Sequence, residues 1–306
     1  MTSEPIYTLA DLDRWSFEGT ALAVLGHPIK HSISPQMHNA ALAKMAERNS
    51  DFETWKYFRF EIKPEDLPAA LEKFHALGFK GLNLTVPHKV IAFGLPEVSV
   101  TPTATLIGAV NTLIRTQQGW IGYNTDGYGL ATGVREAPLG RDLQNSHVVL
   151  LGAGGAARGA AVECLNKPCV SLWIANRTAS NRDALITQLK PLAKEIPLHG
   201  FDPASPPATI PANALVINAT SAGLRSDDPL PIDLALLPRP KGVYDMIYNP
   251  PETRLLAQAR ALGIPAANGL SMLVHQGARA LEIWSKTAVP VDAMRAAVTA
   301  AMSRPT

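Results

Sequence analysis

Cysteine is almost missing from this chain. Its two copies, Cys164 and Cys169, stand five positions apart, which fits neither a redox C-x-x-C nor a zinc pattern. A disulfide framework is excluded, and the pair reads as buried free thiols of a cytoplasmic protein. Long apolar runs are missing too: none approaches the roughly 20 residues that span a bilayer, so no membrane is expected as partner. The start, MTSEPIYTLADLD, has no basic region followed by an apolar core, and no secretory signal is expected. Neither sign of charge prevails. The 28 Lys and Arg against 26 Asp and Glu leave +2, too little to argue for nucleic acid. No metal is expected. What remains is a globular chain of 306 residues, 46% apolar and 18% charged, with room for two domains, each with its own core.

The chain is organised around HVVLLGAGGAARGAA, His147 to Ala161. Val148 to Leu151 is an apolar run of one strand's length, glycines follow at once, and an alanine-rich helical stretch begins near Ala156. Strand, glycine turn and helix in that order specify a dinucleotide-binding βαβ unit. Gly152 permits the tight turn, and Gly154, without a side chain, lets the backbone approach a pyrophosphate. Ala157 takes the last place of G-x-G-x-x-[G/A], where a small residue lets helix pack on strand. Free N–H groups and the positive end of the helix dipole then face the anion.

Cys169 to Ala175 reads as the second strand of this unit. An NAD-binding unit places an acidic residue at its end, on the ribose 2′-OH. Here Asn176, Arg177 and Thr178 stand instead, and an arginine suits a 2′-phosphate, favouring NADP. Two further strands follow, Ala214 to Ala219 with a polar turn of Thr220-Ser221-Ala222-Gly223, and Gly242 to Tyr248. Helices are expected over Glu252 to Leu262, through AANGLSMLVHQGARALEIW, and over Val291 to Met302, and an exposed loop over Asp202 to Pro211.

The first half repeats strand and helix, which implies a second, mainly parallel α/β sheet. Its strands are Ala21 to Gly26, Trp55 to Ile62 and Gly81 to Val86, with helices from about Gln36 to Arg48 and from Pro64 to Leu77, the latter stopped by Gly78. Ser32 and Ser34 alternate in what reads as an extended loop, so their hydroxyls point the same way. Asn83 and Thr85 share one face of the third strand, Pro87 ends it, and His88 and Lys89 open the next turn. Asn111 lies in an apolar stretch, Leu106 to Ile114, and TQQGW suits a hairpin loop. The polar cluster Asn124-Thr125-Asp126 marks a domain boundary, and a helix is expected from Tyr128 to Glu136.

HSISPQMHN, NLTVPHK, GAVNT, GYNTDGYG, GAGGAAR, NRT, NATSAG, DMIYNP and NGLSMLVHQGARALEIW occur in this order between about Gly26 and Trp284. Together they closely resemble the shikimate dehydrogenase family, whose enzymes reduce 3-dehydroshikimate with NADPH in aromatic amino-acid biosynthesis. The resemblance implies an N-terminal substrate-binding α/β domain over residues 1–126, completed by C-terminal helices over 269–306. A Rossmann-type NADP domain over 127–268 follows, with the active site in the cleft between. Lys89 and Asp126 are implied as the catalytic pair. Ser32, Ser34 and Tyr248 would hold the substrate carboxylate, and Asn83, Thr85, Asn111 and Gln276 the ring hydroxyls. Gly152, Ala153, Gly154, Gly155, Ala156 and Ala157 would take the pyrophosphate, and Asn176, Arg177 and Thr178 the 2′-phosphate. Thr220 and Ser221 belong to the cofactor set, and Gly269 and Met272 are expected near the nicotinamide. The chemistry fits: hydride reaches the carbonyl carbon, and a lysine ammonium supplies the proton that the oxygen needs. A monomer or homodimer is expected.

Two features depart from the family pattern. Members that prefer NADP often carry a second arginine five residues after the asparagine of NRT. Asn181 stands there in this chain, followed by Arg182. The first twenty residues exceed what the fold needs and receive no function. Two rival readings stay open in the sequence: a catabolic quinate/shikimate dehydrogenase using NAD(P), and a non-catalytic NADP-binding regulator. The Ser32–Ser34 pair favours shikimate, Arg177 favours NADP, and a regulator needs neither Lys89 nor Asp126.

Overall fold

A computed structural model describes residues 5–140 and 142–303, so the first four residues of the N-terminal extension lie outside the described residues. The chain divides into two compact units, Met1–Thr125 with Gln276–Thr306, and Asp126–His275.

The first unit carries β1 (Tyr7–Thr8), β2 (Thr20–Gly26), α1 (Ser34–Ala46), β3 (Trp55–Glu61), α2 (Leu67–Ala76), β4 (Gly81–Leu84), α3 (His88–Phe93), β5 (Val98–Val100), α4 (Pro102–Ile107), β6 (Thr112–Thr116) and β7 (Gly119–Tyr123). The strands form one sheet in the order β1-β3-β2-β4-β6-β7-β5. The pairs from β1 to β4 and the pair β5–β7 are parallel, whereas β6 runs antiparallel to both β4 and β7. The expected hairpin at Thr116 to Gly119 is the cause, because a short turn reverses the chain and makes the sheet mixed.

Strand β3 shows how the sheet is sided. Phe58 and Phe60 face a core built with Leu67, Leu71 and Phe74 of α2. The alternate residues Tyr57, Arg59 and Glu61 lie on the other face. There the His38 ring of α1 stacks on Tyr57, centroids 4.0 Å apart and planes at 9°. Arg59, Val24, Asn83 and Thr112 stand in one row across β3, β2, β4 and β6.

The second unit begins with α5 (Asp126–Glu136) and continues through β8 (His147–Leu151), α6 (Gly155–Asn166), β9 (Ser171–Ala175), α7 (Ala179–Ala193), β10 (Leu198–Phe201), β11 (Leu215–Asn218), β12 (Gly242–Asp245), α8 (Arg254–Ala261) and β13 (Ala266–Ala267). Its six strands are all parallel in the order β10-β9-β8-β11-β12-β13, which counted from β8 is 3-2-1-4-5-6, the doubly wound order. Val149, Leu151, Val216 and Val243 are buried together in its core. Both cysteines are buried free thiols there, and burial pushes Cys169 up to about 11, which keeps it protonated and inert.

Helix α9 (Leu270–Ser285) passes from the second unit into the first, and α10 (Val291–Met302) follows it. The Trp284 indole donates to the Leu113 carbonyl at 2.9 Å and lies flat against Gly81, where any Cβ would overlap the ring. That close approach is why β4 opens with glycine. No helix of the described residues is long and apolar enough to cross a membrane, and no cluster of three or more His, Cys, Asp or Glu among them suits a metal.

Candidate active site

Parallel strands place their polar loops at one end of the sheet, and in the first unit three such loops are tied together there. The loop after β2 carries Ser32, β3 ends at Glu61 with Ile62 just beyond it, and the loop after β4 carries Thr85 and leads into Lys89 of α3. The His27 N–H donates to the Val86 carbonyl at 3.2 Å, and the Ile62 N–H to that of Gly26 at 3.1 Å. The loop between Gly26 and Ser34 is a turn, not the extended segment expected from alternation. The Ser32 N–H donates to Ile29 at 2.9 Å, and α1 already starts at Ser34, because Pro35 fits a first helical turn. Ser32 Oγ accepts the Ser34 N–H at 3.4 Å.

Two side chains of β3 hold this turn. Arg59, 6% exposed, donates from Nη1 to the carbonyls of Lys30 at 2.8 Å and Ser32 at 3.0 Å. Glu61 accepts the Ile29 N–H at 3.3 Å and pairs with His27 Nδ1 at 3.0 Å. His38 lies one helical turn beyond Ser34, with Nδ1 at 2.9 Å from its carbonyl. Burial holds that imidazole down at about 4, so it is neutral at pH 7.

Asn111 is the junction of the first unit. It is 2% exposed, its Oδ1 accepts the Thr125 N–H at 2.8 Å and the Thr112 hydroxyl at 3.0 Å, and its Nδ2 donates to the Thr125 hydroxyl at 3.0 Å. Gln276 reaches the same amide from α9, with Oε1 at 3.5 Å. The Asn83 amide donates to the Asn111 carbonyl at 3.1 Å and to the Thr112 hydroxyl at 3.0 Å, while its oxygen accepts the Tyr57 hydroxyl at 2.8 Å. The Val110 N–H closes on the Lys89 carbonyl at 2.9 Å, which fixes the start of α3 beside Asn111. Lys89 is thus helical, not part of an open turn. Asn83, Lys89, Asn111 and Gln276 are brought together, and Thr85 is joined to them through α3, since its carbonyl accepts the His88 N–H at 2.8 Å.

In the second unit the turn after β8 runs through Gly152 at φ +111°, a conformation only glycine adopts readily, into an α6 that starts with no side-chain cap. A Cβ at Gly154 or Gly155 would meet nothing within 4 Å. This open cradle is one end of a cavity of about 480 Å³, which Gly152, Ala153, Gly154, Asn176, Arg177, Thr220 and Ser221 line together. Gly155, Ala156 and Ala157 form the first turn of α6, with Ala157 buried against the sheet. Thr178 stands outside the cavity wall at the N-terminus of α7, its carbonyl accepting the Asn176 amide at 2.9 Å. Uncapped helix N–H groups and an arginine at the end of β9 are the donor set that a 2′-phosphorylated dinucleotide requires, so the residues fit NADP.

Asp126 opens α5, two residues before the expected helix start. Tyr248 is half-buried, and burial pushes its phenol up. Gly269 and Met272 sit where α9 begins, the Gly269 N–H donating to the Ile247 carbonyl at 3.0 Å and the Met272 N–H to the Tyr244 hydroxyl at 3.2 Å.

Sequence reasoning passed over the groups that position these residues. Asn218 ends β11, accepts the Thr220 N–H at 3.0 Å and hydroxyl at 2.7 Å, and donates to Asp245 at 2.9 Å. Asp245 ends β12 and accepts the Thr253 hydroxyl at 2.7 Å; burial raises its carboxyl above the usual range. The signal was a polar residue closing an apolar strand, in NATSAG and again in DMIYNP.

A shikimate dehydrogenase substrate binding domain model matches residues 24–113, and a shikimate 5′-dehydrogenase C-terminal domain model matches residues 269–299. The shikimate dehydrogenase (NADP(+)) of Symbiobacterium thermophilum is 40% identical over 288 residues, covering 93% of this chain and 95% of that one. The chain belongs to the shikimate dehydrogenase family. Among solved structures, the Thermus thermophilus shikimate 5-dehydrogenase in complex with NADP(H) and shikimate aligns with a TM-score of 0.78 and 32% identity over 92% of this chain and 99% of that one. The Corynebacterium glutamicum quinate dehydrogenase in complex with NAD shares the fold at a TM-score of 0.77 and 28% identity, over 92% and 99%. Shikimate dehydrogenases and a quinate dehydrogenase thus share one scaffold, and site residues must separate them.

Proposed function

We propose that this protein is a biosynthetic shikimate dehydrogenase, catalysing the reversible NADPH-dependent reduction of 3-dehydroshikimate to shikimate in aromatic amino-acid biosynthesis. The unit built from Met1–Thr125 and Gln276–Thr306 takes the substrate, and Asp126–His275 takes NADP. The observation that carries the reading is the buried Asn111 junction, where Asn83, Lys89 and Gln276 converge from three elements. Such a cluster of amides, with Lys89 in the first turn of the adjoining helix, suits a small polyol bearing a carbonyl.

NADPH, when bound, supplies the hydride. The chain's own part is to orient the ring and deliver the proton. Lys89 Nζ stabilises the oxygen as it becomes alkoxide and donates its proton. Asp126 accepts a hydrogen bond from a substrate hydroxyl and orients the ring. The Gln276 amide donates to ring hydroxyls, with Asn111 orienting it and Thr85 beside them, and Asn83 holds the Asn111 segment in place. Ser32 and Ser34, with Tyr248, donate to the carboxylate. Gly152 to Ala157 receive the pyrophosphate, Asn176, Arg177 and Thr178 the 2′-phosphate, Thr220 and Ser221 the rest of the adenosine half, and Gly269 and Met272 the nicotinamide. The enzyme acts in the cytoplasm, as a monomer or homodimer.

Initial rates in four mixtures test this: shikimate or quinate, each with NADP⁺ or NAD⁺. Fast turnover with shikimate and NADP⁺ alone is expected. Comparable rates with quinate and NAD⁺ would place the protein with the catabolic enzymes, and NADPH binding with no turnover in any mixture would make it a regulator.

A further inference from the structure

Asn181 brings no charge to the segment after Arg177, and its neighbour Arg182 is turned away from the nucleotide cavity. Arg182 Nε is bonded to Asp183 at 2.8 Å, and its side chain lies against Gly200 of β10. It is not among the residues that line the nucleotide cavity. A different arginine is. Arg225, on the segment after β11, faces the same 480 Å³ cavity as Arg177, Asn176 and Pro203.

Topology makes this placement informative. β11 and β9 flank β8 on opposite sides, so residues after β11 meet Asn176, Arg177 and Pro203 only by crossing the end of β8. The crossing segment is a fixed turn. Asp228 accepts the N–H groups of Gly223 and Arg225, each at 3.0 Å, and its own carbonyl accepts from Arg254 Nη1 at 3.0 Å. The Arg225 side chain is 80% exposed and touches Asp228 through Nε alone, at 3.4 Å. Its two terminal amino groups have no partner among the described residues, and neither has the Arg177 guanidinium. An exposed ion pair of that length is weak, so a phosphate dianion displaces little by engaging Nη1 and Nη2. The Nε contact, meanwhile, sets the plane of the fork.

We propose that Arg225 is a specificity-determining residue for NADP, supplying from the β11 side the second cation on the adenosine 2′-phosphate opposite Arg177. The proposal rests on the NADP reading given above.

Calorimetric titration with 2′,5′-ADP and 5′-AMP, which differ by that one phosphate, tests it without turnover. Wild-type protein should bind 2′,5′-ADP more tightly. Arg225→Gln should weaken 2′,5′-ADP about tenfold, the worth of one charge-assisted contact, and 5′-AMP less than about twofold. Arg225→Lys should recover part of the loss, and Arg177→Gln with Arg225→Gln should abolish the preference. Because the side chain is exposed, the variants should melt with the wild type. Equal losses for both probes would assign Arg225 to the 5′-phosphate and overturn the proposal, as would no loss for either. A wild-type protein that does not distinguish the probes would instead bring down the NADP reading itself, and the proposal with it.

Discussion

Arg59 and Ser32, 27 residues apart in sequence, are joined by a hydrogen bond of 3.0 Å from the guanidinium Nη1 to the backbone carbonyl. The same nitrogen holds Lys30, so a buried strand residue fixes the turn that presents Ser32 and Ser34. A permanent charge beside that turn also favours an anion there. Arg59→Met should therefore raise the KM for shikimate about tenfold and cost about 1–3 kcal/mol of stability, the price of stranding two carbonyls. The KM for NADP should stay within about twofold, and kcat should fall less than KM rises. Steady-state kinetics with each substrate varied decides; a fall in kcat alone would mean that the turn does not serve binding.

The Lys89 carbonyl accepts the Val110 N–H at 2.9 Å, a backbone bond that truncation of the side chain leaves in place. Lys89→Ala is expected to lower kcat by about 10²–10⁴, the usual worth of a positioned proton donor, and to leave NADPH affinity unchanged. Single-turnover rates and a fluorescence titration of NADPH on one preparation would show it. A wild-type rate would end the assignment.

Much of this was legible in the sequence, and the exceptions share a physical cause. The glycine turn at Gly152, the hairpin at Gly119 and the helix Val291–Met302 were readable because local chemistry sets them. The short strands β1, β5, β10 and β13 were not, because two to four residues carry no periodicity and extended backbone there is imposed by the neighbouring strand. Arg59 was hidden differently. An alternating strand such as WKYFRFE reads as dry on one side and wet on the other. Here α1 covers the second side, so what looks like a solvent charge is a buried donor. Asn83 stands out as a polar residue in an apolar strand and Asn111 as one in an apolar stretch; that Asn83 spends its amide on Asn111 and Thr112 follows only from the fold.

Gly81 and Trp284 give a stability prediction. With Gly81→Ala the new methyl occupies the space of the indole, so the ring must move and its 2.9 Å bond to Leu113 is strained or lost. Overpacking with loss of a buried hydrogen bond should cost about 2–4 kcal/mol. Gln276 rides on the same helix, so the KM for shikimate should rise too. Scanning calorimetry and kinetics on this variant check both effects; an unshifted melting temperature would mean that the C-terminal helix is not locked to the sheet at this contact.

His38 makes stability depend on pH, with a definite sign. Burial against Tyr57 holds the folded imidazole at about 4, whereas its ordinary value is 6.5. Between those values the unfolded chain binds a proton that the folded chain refuses, so stability falls as the pH drops through this window and is fully present above it. The loss amounts to about 3 kcal/mol by pH 4 at about 1.4 kcal/mol per pH unit. His88, also lowered by burial, with the charge of His27 adding to it, acts in the same direction. His38→Gln should be less stable than wild type at pH 7.5, having lost the ring stack, yet should lose distinctly less on going to pH 5. Urea midpoints of both proteins at the two pH values measure this. Parallel shifts in the two proteins would show that the acid sensitivity comes from His88 or from the carboxylates, and that His38 titrates normally.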